Sequence, residues 1–426
     1  MQYPDSYSTT MQHVGVHSLP RELIYEVLQY LDPKDLPKYM LICRAWQPCV
    51  QRLLYNFPRL SSARQMEGFI VALRRGRKLH SLVKGLHILG KENYSSSYPT
   101  PWVLSGLARL APFVPGVFSL VFQHIEGIDF NNAFWGSLEL CPNVTGLRIE
   151  KSRFKSRSDA LGLLNAFPKL RSVVLANVRW PQARGVMRPN PCPPPAHWAG
   201  HVLPLSRAEF CFMQDEELVP VLGWLARTRA TLKDLSLLHV APTSILDVGP
   251  TLSALSLSSF SFAPQISYAW QLSESFFFLL CSEKDVEADP RPSPRAEYLD
   301  PLYEALKKQT SLTSLRLFLL ELAEGAMQWA PRVLEAAEQL PLASIALEFT
   351  FDRVGIDYET EAWAAVRARL EAGWAGTLRR VTLVQNPTGD FVACLEDERV
   401  FATLARRFAA LAQRGLLELQ IGTRYV

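Results

Sequence analysis

Beyond Leu60 one pattern recurs along the chain: an apolar residue, two others, an apolar residue, one other, and a further apolar residue. It is found at Val83-Leu86-Ile88, Val117-Leu120-Phe122, Val144-Leu147-Ile149, Leu170-Val173-Leu175, Leu232-Leu235-Leu237, Leu252-Leu255-Leu257, Leu312-Leu315-Leu317, Leu342-Ile345-Leu347, Leu378-Val381-Leu383 and Leu416-Leu419-Ile421, and more weakly at Leu205-Ala208-Phe210. The closing alternation places two side chains on one face of a short strand, because successive strand residues point to opposite faces. Between many of these strands lie segments with apolar residues three or four apart, such as SDALGLLNAF, DEELVPVLGWLARTR, DPLYEALKKQ, PRVLEAAEQL, EAWAAVRARLEAG and ERVFATLARRFAALAQRG. That spacing reads as helix. Strand followed by helix, repeated, requires parallel strands and an α/β fold.

The strand pattern resembles the core-lining coil of a leucine-rich repeat. Residues 61–426 divide into about eleven such units of about 33 residues, longer and less even than the usual 20–29. The asparagine of the repeat signature is present only as Asn386; Val178, Val240, Phe260 and Leu320 hold its place elsewhere. The resemblance implies an irregular leucine-rich-repeat-like solenoid, with an ordinary α/β sheet domain as the open alternative. In a solenoid the strand residues between and beside the core positions line a concave recognition face. Those residues include Arg148, Glu150, Glu209, Asp234, Arg316, Phe318, Glu348 and Arg380, with Val121, Val174, Leu238 and Val384 among them. Charges of both signs beside apolar groups suit a protein target better than a phosphate backbone.

The chain opens differently. From Ser18 to Trp46 it reads SLPRELIYEVLQYLDPKDLPKYMLICRAW, an apolar-striped stretch too short to bury its own surface unaided. Ser18 reads as an N-cap and Pro20 as a first-turn residue of a helix bearing Leu23, Ile24, Val27, Leu28 and Leu31 on one stripe. Asp32 caps a short turn, which Pro37 separates from a third helix expected over residues 38–50.

Leu19-Pro20-x-Glu22-Leu23, Val27-Leu28-x-x-Leu31, Asp35-Leu36 and Ile42-Cys43-Arg44-x-Trp46 together resemble the F-box along its whole length. The resemblance implies a three-helix F-box at 17–60, after a disordered 1–16, that docks a SKP-type adaptor and through it a cullin–RING ubiquitin ligase. Leu19, Pro20, Leu23, Val27, Leu28, Leu31, Leu36 and Ile42 match the family's apolar signature positions, which build its helical core and its adaptor contact. Sequence does not separate those two uses. On this reading the surplus apolar surface is an interface. The chain is then expected to be a substrate-recognition subunit, with the repeat domain holding a protein target. The alternative is a scaffold that binds the adaptor for a purpose other than ubiquitin transfer.

Seven scattered cysteines without a C-x-x-C pair give neither a disulfide framework nor a zinc knuckle, and fit a reducing cytoplasmic or nuclear setting. The opening MQYPDSYSTTMQHVGVH lacks the basic and apolar regions of a secretory signal, and the apolar run Phe276–Leu280 is far short of the ~20 residues that span a bilayer. A net charge of +4 implies no polyanionic partner, so neither nucleic acid nor membrane is expected. The cluster Arg74-Arg75-x-Arg77-Lys78 reads as a solvated helix end. His197 and His201 stand four apart near Cys192, but no glutamate follows the first and prolines surround both, so no metal is expected. Phosphate loops, nucleophile elbows and kinase signatures are absent, so no cofactor or catalytic residue is assigned and the chain is read as a non-enzyme. The proline-rich stretches 179–204 and 283–301 read as surface loops.

Overall fold

The computed structural model describes residues 19–32, 34–41, 44, 46–90, 101–128, 132–180, 203–227, 231–240, 245–264, 299–319, 329–350, 361–374, 376–386 and 402–421. Three short helices come first: α1 (Arg21–Leu28), α2 (Leu36–Tyr39) and α3 (Trp46–Asn56). Pro20 is the N-cap of α1. Pro37 does not break the chain as expected; it sits in the first turn of α2, where a missing N–H costs nothing. The third helix accordingly starts at Trp46 and runs past Val50. Ile24, Leu28, Leu36, Trp46, Cys49 and Val50 close into a small core of their own.

The rest is one parallel sheet backed by helices. Its strands are β1 (Arg59–Leu60), β2 (Gly85–Leu89), β3 (Ser119–Gln123), β4 (Glu126–Ile128), β5 (Gly146–Phe154), β6 (Ser172–Arg179), β7 (Arg207–Cys211), β8 (Asp234–Val240), β9 (Ser259–Pro264), β10 (Ser314–Leu319), β11 (Ser344–Thr350), β12 (Arg380–Asn386) and β13 (Leu417–Ile421). The connecting helices are α4 (Ala63–Arg75), α5 (Pro101–Leu110), α6 (Asn132–Glu139), α7 (Arg157–Asn165), α8 (Asp215–Arg227), α9 (Ile245–Ser253), α10 (Asp300–Lys307), α11 (Trp329–Ala337), α12 (Glu361–Ala372) and α13 (Ala409–Gln413). Strand order follows chain order from β1 to β13, with only β4 off the path, paired to β5. A doubly wound α/β domain reverses its strand order at a switch point, whereas stacked repeats never do. The fold is therefore a solenoid-like array following a helical N-terminus.

Two inward side chains per strand carry the core: Leu86 and Ile88, Leu120 and Phe122, and so on through Val381 and Leu383, all buried with the helices in one continuous cluster. Two register expectations need correction. Leu252 lies on α9, and the strand that follows uses Phe260 and Phe262, which stack on each other 6.0 Å apart. The alternation Ser-Phe-Ser-Phe was the better strand signal there. In β13 it is Leu417, not Leu419, that pairs with Val381, so Leu419 is the equivalent of Leu383 and Leu347.

The missing asparagines also have a structural reason. His124, Lys151, Asn177, Phe212 and His239 all adopt positive φ, directly after Gln123, Glu150, Ala176, Cys211 and Leu238 respectively. This left-handed residue rotates the chain, so that the next one (Ile125, Ser152, Val178, Met213 or Val240) is buried. The ends of adjacent coils are then joined by backbone: His124 N–H donates to Glu150 O at 3.1 Å, and Phe212 N–H to Leu238 O at 3.0 Å. Backbone groups satisfied by backbone leave no task for an asparagine side chain.

Candidate functional site

Two surfaces carry the residues singled out by sequence. The first is the outer face of α1. At 100° per residue, Leu23 and Val27 fall on one side of α1 and Ile24 and Leu28 on the other, while Leu19 precedes the N-cap and Tyr30 follows the C-cap. Leu23 and Val27 are each 51% exposed, while Ile24 and Leu28 are fully buried. Leu19 and Tyr30 are exposed with Leu23, and Leu41 stands out from the turn after α2. Pro20 is exposed, Leu31 is half-buried against the small core, and Leu36 is within it. The eight signature residues thus divide: Leu28 and Leu36 hold the helices together and offer no surface to a partner, whereas Leu19, Pro20, Leu23 and Val27 do. Ile42 lies outside the described residues, as does Cys43. Tyr30 and Leu41 extend the exposed apolar surface, and neither stood out in the motif.

The second surface is the helix-free face of the sheet. Parallel register carries one row from His87 through Val121, Arg148, Val174, Glu209, Ser236 and Ser261 to Arg316, Ala346, Thr382 and Glu418. A second row, two residues on, includes Gln123, Glu150, Ala176, Cys211 and Leu238, then Phe318, Glu348 and Val384. Asp234 and Arg380 lie one step toward the strand starts. The expected recognition residues are therefore on one face.

Their environments differ from a plain solvated face. Cys211, Leu238, Ala263 and Phe318 are buried together with Ala176 packed beside them, forming an apolar strip on the helix-free side. Burial pushes the Cys211 thiol above its ordinary range, with nearby Glu209 adding to the effect. Glu348, expected to face a target, is only 1% exposed, and it receives hydrogen bonds from Arg316 through Nη2 at 2.5 Å and Nε at 2.7 Å. The Arg316 guanidinium also lies 5.1 Å from the Phe318 ring centre. Arg148 pairs with Glu150, Arg207 with Glu209 at 3.2 Å, and Arg380 with Glu418 at 3.5 Å. Charge on this face is locally compensated. At the other end His87 Nε2 lies 2.9 Å from Gln123 Oε1, and burial lowers the imidazole pKa.

Most of the two proline-rich stretches lies outside the described residues, with His197, His201 and Cys192. Their ends belong to ordered elements: Arg179 closes β6, Leu203 is buried, and Asp300 and Pro301 start α10. Among the described residues no helix is long and apolar enough to cross a membrane.

Residues 16–61 match the F-box-like family. The match covers the three-helix unit with its exposed α1 stripe and the first strand of the sheet. No curated protein matches the chain.

Proposed function

We propose that this F-box protein is the substrate-recognition subunit of a Skp–cullin–F-box ubiquitin ligase, working in the cytoplasm or nucleus and catalysing nothing itself. The observation that carries the reading is the α1 stripe: Leu19, Leu23 and Val27 stand exposed over a core that is already closed, within a segment matching the F-box-like family. Exposed leucines without a folding task are expected at an interface. A SKP-type adaptor takes that stripe, with Pro20 and Leu31 at its margins and Leu28 and Leu36 supporting it from the core. The target docks on the helix-free face around Arg148, Glu150, Asp234, Arg316 and Arg380, where the buried Glu348 and Phe318 hold Arg316 in place. Exposed arginines of that face paired with carboxylates, beside a buried apolar strip, support a protein as the occupant.

The test has two arms. Full-length chain should co-purify with a SKP-type adaptor, and overproducing it should cause ubiquitin-dependent loss of a particular protein. Adaptor binding without any such loss would leave the scaffold reading in place; no adaptor binding at all would end both.

A further inference from the structure

The net charge of the chain hides a strong segregation. Residues 44–90 hold nine lysines and arginines against a single acid, Glu67, whereas the whole chain holds 45 against 41. Outside that stretch acids outnumber bases by 40 to 36. All nine cations are exposed, and among the described residues none has a carboxylate partner; Glu67 itself is taken by Arg109. Elsewhere on the sheet Arg148, Arg207 and Arg380 each pair with a carboxylate, whereas among the described residues the cations of this stretch show no such pair.

The fold brings some of these cations, Arg52, Arg77, Lys78 and Lys84, to the junction between the F-box helices and the sheet. The 3-10 segment Arg77–Leu82 packs on α3, the Lys84 amide donates to Asn56 O at the end of α3, and the His87 amide donates to Pro58 O. Arg52 lies over the Tyr25 ring at 5.4 Å and Arg74 over Phe113 at 5.7 Å. A helix C-terminus accounts for cations in its last turn, here Arg74 and Arg75. It does not account for Arg52, Arg77, Lys78 or Lys84. Apolar groups are interleaved with them. Phe57 is exposed while lying on Gly85, and Phe118, whose amide donates to Lys84 O at 2.9 Å, is exposed beside it.

We infer that this junction is a second docking surface, for a polypeptide segment rich in aspartate and glutamate with apolar side chains among them. Arginine and exposed aromatic rings together are the composition of a protein interface. The net negative remainder of the chain would repel a long nucleic-acid strand wherever it ran past the band, whereas a short acidic segment stays within it. Tyr25, which anchors Arg52, lies on the opposite flank of α1 from Leu23 and Val27. The two surfaces can therefore be occupied at once.

The probe is a synthetic 20-residue peptide of Asp and Glu with interspersed Leu and Phe, titrated into full-length chain at about 0.15 M salt, where the screening length is ~8 Å. Comparators are the same peptide with Ser for Leu and Phe, a 20-nucleotide single-stranded RNA, and phosphatidylserine vesicles. Binding should be strongest for the first peptide and should weaken about tenfold or more in a variant carrying Arg75→Gln, Arg77→Gln, Lys78→Gln and Lys84→Gln. Unfolding curves of the variant should match wild type, since all four side chains are exposed. Stronger binding of RNA or vesicles, equal binding of the serine peptide, no binding, or an unaffected variant would each overturn the inference.

Discussion

Leu23 and Leu28 lie five residues apart on α1 and face opposite ways, Leu28 into the helical core and Leu23 into solvent. One helix therefore offers two substitutions with separable outcomes. Leu23→Asp should leave the circular dichroism and unfolding of the full chain unchanged, because its side chain is already half in water, yet it should abolish capture of a SKP-type adaptor. Leu28→Ala should instead cost about 2–5 kcal/mol in the unfolding of the F-box unit, the range for a cavity in a packed core. Adaptor capture that survives Leu23→Asp would place the contact elsewhere.

That division could not be read from the motif, since both leucines belong to the same signature and only the closing of α3 over α1 decides which is covered. The array was more legible. Paired core residues such as Leu315 and Leu317 declare their strand, because period-two alternation between helical segments has few other solutions. The pattern failed at Leu252-Leu255-Leu257, where the same spacing lies on α9 and the connection after it. It also failed to show that Glu348 is buried: a charged residue between core positions looks solvated until its neighbour across the ladder is known. Of the basic junction only the cluster Arg74-Arg75-x-Arg77-Lys78 stood out in sequence, because Arg52 on α3 and Lys84 before β2 lie outside it along the chain.

Arg316 and Glu348 on β10 and β11 set the second expectation. Removing one partner of a buried pair strands the other, at a cost of about 3–5 kcal/mol. Water reaches this pair through the 40% exposed arginine side chain, which lowers the expected loss for Arg316→Ala to about 2 kcal/mol in chemical denaturation. Replacing both residues by leucine should recover most of it. Charge reversal at Arg316 is therefore unsuited to probing target recognition. Arg380→Glu is better suited: Arg380 and Glu418 are both well exposed, and stability should move by under about 0.5 kcal/mol. Loss of the target in that variant would report recognition, and an unchanged partner list would move the target off this end of the face.

Two glycines test the packing of successive coils. A Cβ on Gly90 would lie 1.8 Å from the His124 carbonyl oxygen, which is backbone and has little room to move. Gly90→Ala should destabilise by at least about 1–3 kcal/mol, the overpacking range. A Cβ on Gly85 would meet the Phe57 ring at 2.0 Å, and that side chain can swing away. Gly85→Ala should thus spare the array but loosen its attachment to the F-box helices. Hydrogen exchange will show this as faster exchange of the Lys84 and His87 amides, which donate to Asn56 O and Pro58 O. Unaltered exchange there would mean that Phe57 does not hold the junction.

His239 supplies a pH dependence of known sign. Its ring stacks on Phe212 with centres 4.1 Å apart and planes 5° from parallel, and burial lowers its pKa to about 4. In the unfolded chain a histidine titrates near 6.5, so between about pH 6.5 and 4 the unfolded state holds the proton and the folded state does not. The stability contributed by neutral His239 is full above about pH 6.5 and is lost as pH falls through that window, by at most about 3 kcal/mol. His87 shifts in the same direction and Glu217, whose pKa burial raises, in the opposite one. Only a difference between two proteins therefore isolates His239. His239→Phe preserves the stack and removes the titration. Denaturation midpoints measured from pH 7 to pH 4 should fall less steeply in the variant, and identical slopes would show that His239 does not change its protonation on folding.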